Sequence, residues 1–230
     1  MAEFLQNLSL FPLVLTLGAY QFGLWCQKKG KSPIFNPILI AVIVVIGVLL
    51  LFGIDLEQYQ AGNKVITWLL TPATVCLALP LYQQIKVLKK NLPAIFAGIA
   101  AGTLSCLGFI LLFCALFRLD TAISISLLPK SITTAIGMEL SEKNGGLAAL
   151  TTAAILITGI LGNLAAPMLC KLFCFHDPVT QGVAIGTSAH ALGTARANEM
   201  GAIQGAASSL SLVIAGVLTV ILFPFACMLL

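Results

Sequence analysis

Pro129-Lys130-Ser131 interrupts an otherwise apolar stretch, Thr121–Met138, and sets a cationic amine among residues suited to lipid. A lysine at the centre of a membrane helix costs roughly 2.5–3.5 kcal/mol on insertion scales, so such residues pair with an anion or line a path. Pro129 removes an N–H donor and breaks a helix running into it. A helix restarting at Ser131 presents free N–H groups and its positive dipole end beside the ammonium. With the hydroxyls of Ser131, Thr133 and Thr134, these groups describe a site for a small anion. The plain alternative is a kinked helix whose lysine reaches out to an interface.

A second interrupted stretch, Gln181–Ala197, carries Gly186-Thr187-Ser188, His190 and Gly193-Thr194. Thr187, His190 and Thr194 are spaced i, i+3, i+7, which a helix places on one face. His190 can donate to a carboxylate or carry a proton near neutral pH. Gly186 and Gly193 suit an unwound segment whose backbone itself becomes a ligand. The expected binding set is therefore Lys130, Ser131, Thr133, Thr134, Ser188, His190 and Thr194. A third interruption, at Pro72 and Pro80, carries no charge and suits a kinked packing helix as well as a pore lining. Glu139, Glu142 and Glu199 read as solvated or helix-end charges, with proton coupling as the functional alternative, and Arg196 can pair with Glu199.

Catalysis finds no support. A hydrolase built on Ser188 and His190 fails because residues i and i+2 of a helix do not face each other. HExxH, P-loop and dinucleotide motifs do not occur. Cys170, Cys174 and His176 are close in sequence, but no second Cys/His pair follows, so no metal and no cofactor is expected.

The elements that position these residues must be membrane helices. The chain has 230 residues, 59% of them hydrophobic and only 9% charged, with a mean hydropathy of +1.05. A soluble domain carries about a quarter charged residues. The net charge of +4 comes from basic residues flanking apolar runs, which excludes a nucleic-acid patch. Crossing a bilayer takes about 20 apolar residues. Leu8–Cys26, Phe35–Gly53, Val65–Tyr82, Leu92–Phe117, Leu147–Phe175 and Ala206–Leu230 qualify. Glu3 in place of a basic n-region, with no cleavage site following, makes the first run a retained span.

Pro72, Pro129 and Gly186 recur at an interval of 57, as do Gly102, Gly159 and Gly216. The expected fold is an all-α integral membrane protein with about 7–8 transmembrane segments, including broken or re-entrant helices and internal repeats. Residues 1–64 supply two spans, and 65–230 three approximate repeats. Like-oriented repeats need an even number of crossings each, which favours crossing over re-entry. Lys28, Lys29 and Lys31, Lys86, Lys89 and Lys90, then Lys143 and Arg196, would face the cytoplasm, with Lys64, Arg118 and Lys171 opposite.

Leu128-Pro129-Lys130-Ser131-Ile132-Thr133-Thr134, the run Gly186 to Ala195, and Pro72-Ala73-Thr74 through Tyr82 resemble the LrgB/CidB family over essentially the whole chain. Ala135 stands where that family commonly has proline, so the second half of this break is less sharp. The resemblance implies a multi-pass protein of the bacterial inner membrane, usually beside a small LrgA-type partner. It carries two functional expectations. One is a holin-like role in controlling murein hydrolase activity and autolysis. The other is carriage of a small carboxylate such as pyruvate or glycolate, with proton coupling and homo-oligomerisation left open. A buried lysine and histidine on two broken segments favour the carrier.

Overall fold

The computed structural model describes residues 10–30, 37–76 and 78–230. The beginning of the first expected run, Lys31, Phe35 and Leu77 lie outside the described residues. Among the described residues every regular element is a helix, and they form two compact units, residues 1–76 and 77–230.

The first unit holds α1 (Phe11–Gly30), α2 (Pro37–Phe52), α3 (Leu56–Gly62) and α4 (Lys64–Cys76). Gly23 lets α1 approach the start of α2, since a β-carbon there would lie 2.8 Å from Pro37 Cα. Thr16 Oγ1 ties α1 to α3 through the Tyr59 hydroxyl at 2.7 Å. Pro72 does not end its helix: α4 runs through it to Cys76. Membrane helices tolerate proline when neighbouring groups re-satisfy the freed backbone. Of the expected run Val65–Tyr82, the described residues are helical up to Cys76 in α4 and again in α5 (Ala78–Gln83), which includes Pro80.

The second unit continues with α6 (Ile85–Lys90), α7 (Leu92–Leu116), α8 (Thr121–Leu127), α9 (Thr134–Lys143), α10 (Ala148–Leu172), α11 (Pro178–Met200) and α12 (Ala202–Cys227). Three of these, α7, α10 and α12, are long and apolar enough to cross a membrane. At 1.5 Å per residue each exceeds the roughly 30 Å of a hydrocarbon core. Their outer faces expose Leu104, Leu112, Leu116, Ile157, Leu161, Val213 and Ile221. Their inner faces bury Ile95, Ile99 and Ala215, with Thr151 and Thr219 hydrogen-bonded to carbonyls of their own helices. Apolar outside with small and polar inside is the arrangement lipid demands. The helix ends are closed without side chains: α7 turns at Arg118 (φ 50°) and α10 at Cys174 (φ 55°). The next N–H in each case reaches back to a last-turn carbonyl, Leu119 to Cys114 at 3.0 Å and Phe175 to Cys170 at 2.8 Å.

Between these spans the two interrupted segments fold back on themselves. In α11 the helical backbone fails at Ala189 (φ −126°, ψ 16°) and His190 (φ 42°, ψ −139°). A β-carbon on Gly193 would lie 3.1 Å from the Ile185 carbonyl, though a straight helix separates residues eight apart by about 12 Å. α8 and α9 do the same. The Leu147 N–H donates to Ser126 Oγ at 2.7 Å, and a β-carbon on Gly137 would lie 3.4 Å from the Pro129 carbonyl. Both segments are broken, as expected, but the lean towards crossing over re-entry does not fit a backbone that turns back at each break.

Candidate functional site

Leu128 is still helical, and then Pro129 forces a tight turn in which the Lys130 N–H bonds the Leu127 carbonyl at 3.2 Å and that of Ile132 bonds Pro129 at 3.3 Å. The helix resumes at Thr134, not at Ser131, because the turn itself consumes residues 129–132. Thr133 is the extended residue before it (ψ 145°), without a side-chain cap bond.

The turn presents Lys130 and Ser131 to a cleft of about 890 Å³ between α7 and the first half of α11. Along α7 its wall runs from Asn91 through Gly98, Gly102 and Cys106 to Phe113, one helical face over nearly the whole span. α11 contributes Val183, Ala184, Thr187 and Ser188. Lys130 Nζ donates to Ser131 Oγ at 3.5 Å, and Ser131 Oγ lies 3.1 Å from Cys106 Sγ. Cys106 sits about 21 Å along α7, near its midpoint. Among the described residues the ion pairs are Lys143–Glu139 at 2.6 Å and Arg196–Glu199 at 2.5 Å, and neither involves Lys130.

The tip of the second fold-back packs against α10. His190 Nε2 donates to the Ile155 carbonyl of α10 at 2.9 Å. A β-carbon on Gly159 would lie 2.6 Å from that ring nitrogen, so Gly159 makes the approach feasible. A non-glycine residue at positive φ is strained and persists only when its surroundings hold it. The hold is visible. Thr194 Oγ1 reaches the His190 carbonyl at 2.9 Å and Ser208 Oγ at 2.9 Å, and Asn163 Nδ2 donates to the Leu192 carbonyl at 2.8 Å.

The structure therefore brings Lys130, Ser131, Thr187 and Ser188 to one cleft. Thr133 and Thr134 sit at the start of α9 and do not line it, while His190 and Thr194 are buried in contacts with α10 and α12. Thr187, His190 and Thr194 do not share a face, because the break falls between the first two. Gly186 and Gly193 are not the unwound residues; they lie within the helical halves and admit close neighbours, Ser208 backbone at one and Ile185 at the other. Asn163, Ser208 and Cys106 were missed from sequence. A lone asparagine in an apolar helix was the one available signal, since polar side chains there need partners.

At the mouth of the cleft Asp177 precedes α11 and accepts from the Thr180 N–H at 2.7 Å and its hydroxyl at 2.8 Å. Those bonds hold its carboxyl below the usual carboxylate range. A lowered pKa means the cap stabilises fully at neutral pH and is lost as pH falls through the lowered value. Because Asp177 is exposed, the expected cost of Asp177→Ala is only about 1 kcal/mol. Asp177→Asn should keep most of the cap and remove its acid sensitivity, read as melting temperature against pH. A substitution to alanine without effect at pH 7 would rule this out.

The model of the LrgB-like family matches residues 16–229. The holin-like protein CidB of Staphylococcus aureus (strain Mu50) is 37% identical over 218 residues, covering 94% of either chain. The holin-like protein CidB of Staphylococcus epidermidis (strain ATCC 12228) is 36% identical over 97% of each, and the antiholin-like protein LrgB of Bacillus subtilis (strain 168) 35% over 93%. No solved structure matches. These names weigh towards the holin-like expectation rather than the carrier favoured by the sequence motifs. On the family model and on identity extending across nearly the full length, this membrane protein belongs to the LrgB-like family.

Proposed function

We propose that the protein is a holin-like component of the bacterial inner membrane that governs murein hydrolase activity and autolysis. What supports this reading is the set of relatives named holin-like and antiholin-like at 35–37% identity over more than nine tenths of the chain. Deleting and over-producing the protein in its host should shift extracellular murein hydrolase activity on zymograms in opposite directions. Unchanged zymograms and unchanged lysis rates would dismiss the idea.

A second reading, carriage of a small monocarboxylate, is favoured by a specific observation. Lys130 has no carboxylate partner among the described residues and stands in a cleft at mid-span, between two fold-backs. Irregular backbone at membrane depth is tolerated where it is buried in protein or lines a cavity, and carriers place binding sites there. The two tips, 128–133 and 189–190, are related by the 57-residue interval, which supports the repeat. If α8–α9 and α11 re-enter, Lys86, Lys89, Lys90, Lys171 and Arg196 fall on one side and Arg118 and Lys143 on the other. That bias puts the first group in the cytoplasm. A small LrgA-type partner fits either reading.

Purified protein in liposomes separates the two. Large, unsaturable dye leakage supports a permeabilising protein. Saturable pyruvate or glycolate flux without leakage supports the carrier.

A further inference from the structure

An anion site is made of donors, and most hydroxyls around the Lys130 cleft have none to give. Thr187 donates to the Val183 carbonyl at 2.8 Å, Ser188 to Ala184 at 2.7 Å and Thr219 to Ala215 at 2.7 Å. His190 spends its Nε2 proton on Ile155. Such back-bonding is the usual fate of Ser and Thr inside a helix, where no water competes.

Thr103, one turn before the cleft residue Cys106 on α7, differs. The residue is 4% exposed, and among the described residues its Oγ1 finds no hydrogen-bond partner. It borders a recess of about 10 Å³ together with Leu128, Ser131, Thr187 and Thr219. Cys106, Ser131 and Thr187 line both the recess and the cleft, so the recess lies directly behind Ser131. Its volume is about that of one oxygen-sized group, and its walls are polar enough to hold one.

We infer that Thr103 is a further anion donor of the Lys130 site, its hydroxyl meeting one carboxylate oxygen that enters the recess behind Ser131. The solute is then gripped from two sides, by the ammonium on the turn and by a hydroxyl on the facing span. A buried donor left unpaired is costly, so its pairing is gained only when the anion binds. That makes Thr103 a residue of affinity and selectivity, not of fold.

This rests on the carrier reading, and the test keeps the two apart. Uptake of radiolabelled pyruvate would be measured in liposomes for the full chain, Thr103→Val, Thr103→Ser and Lys130→Met. Thr103→Val keeps the shape and should raise KM about tenfold while leaving the maximal rate within about twofold. Thr103→Ser, which restores the hydroxyl, should return KM towards that of the unsubstituted protein. If Thr103→Val keeps an unaltered KM while Lys130→Met loses uptake, the inference is wrong and the carrier stands. If serine is as impaired as valine, packing and not the hydroxyl is responsible, and the inference also fails. Absence of saturable uptake by the unsubstituted protein would overturn both.

Discussion

Gly186→Ala is expected to lower the melting temperature of the purified protein by about 10 °C. Gly186 packs against the backbone of α12. A β-carbon there would run into the Ser208 carbonyl oxygen and lie 2.8 Å and 2.9 Å from Ser208 Cα and C. Backbone atoms cannot swing aside as a side-chain tip can, so the two helices must separate. Overpacking of this kind costs about 3 kcal/mol, and in a chain of this length each kcal/mol moves the midpoint by roughly 2–4 °C. Separation would also pull Ser208 from Thr194 and so loosen the hold on the strained His190. Gly216→Ala is the control. Nothing lies within 4 Å of its added carbon, and alanine is the better helix former. It should leave the midpoint unchanged or raise it slightly. Circular dichroism in detergent reads both. Equal midpoints for the two variants would show that the α11–α12 contact is looser than its geometry states.

How far this could be read from the amino acids varies by element. α7, α10 and α12 were legible to within a turn at each end, because an uninterrupted apolar run of about 25 residues has few other outcomes than a span. The position of the first break was legible too, since proline leaves no choice. Pro72 shows the limit of that rule, because the helix passes through it. The second break falls at Ala189 and His190, away from both glycines. Gly186 and Gly193 looked like unwound residues, yet glycine in a crowded membrane interior serves close approach as often as flexibility. The strained residue is His190, whose φ is held by partners on α10 and α12 that no local pattern announces. Whether each broken segment crosses or turns back was illegible for the same reason. Helical periodicity gives the face of a residue only while the helix continues, so Thr187, His190 and Thr194 lost their common face at Ala189. Of the expected site, the Lys130–Ser131 turn survives as one wall of a cleft, and its depth follows from Cys106 at mid-span.

Lys130→Met should remove saturable anion uptake while making the empty protein more stable, and the combination is more telling than either half. Lys130 Nζ touches one hydroxyl, Ser131 Oγ at 3.5 Å, and among the described residues no carboxylate pairs with it. Holding an unpaired ammonium at mid-span costs roughly 2.5–3.5 kcal/mol on insertion scales, so an apolar group of similar length there should stabilise the empty protein. A structural lysine would behave oppositely, because its loss would orphan a partner. The gain in the empty state and the loss in the loaded state have one origin, the field of the ammonium in a cleft with few other donors. A hydrogen bond to a charged group contributes about 1.5–3 kcal/mol, so losing it weakens binding by roughly 10- to 150-fold. Lys130→Arg keeps the charge, but its rigid planar fork does not fit where a compact ammonium does, and partial uptake is expected. Melting temperatures in detergent and pyruvate flux in liposomes, measured on one preparation, decide the matter. Uptake that persists in Lys130→Met at the unsubstituted rate would leave the cleft without its cation and the carrier without a site. A melting temperature that falls as uptake disappears would assign Lys130 to the fold.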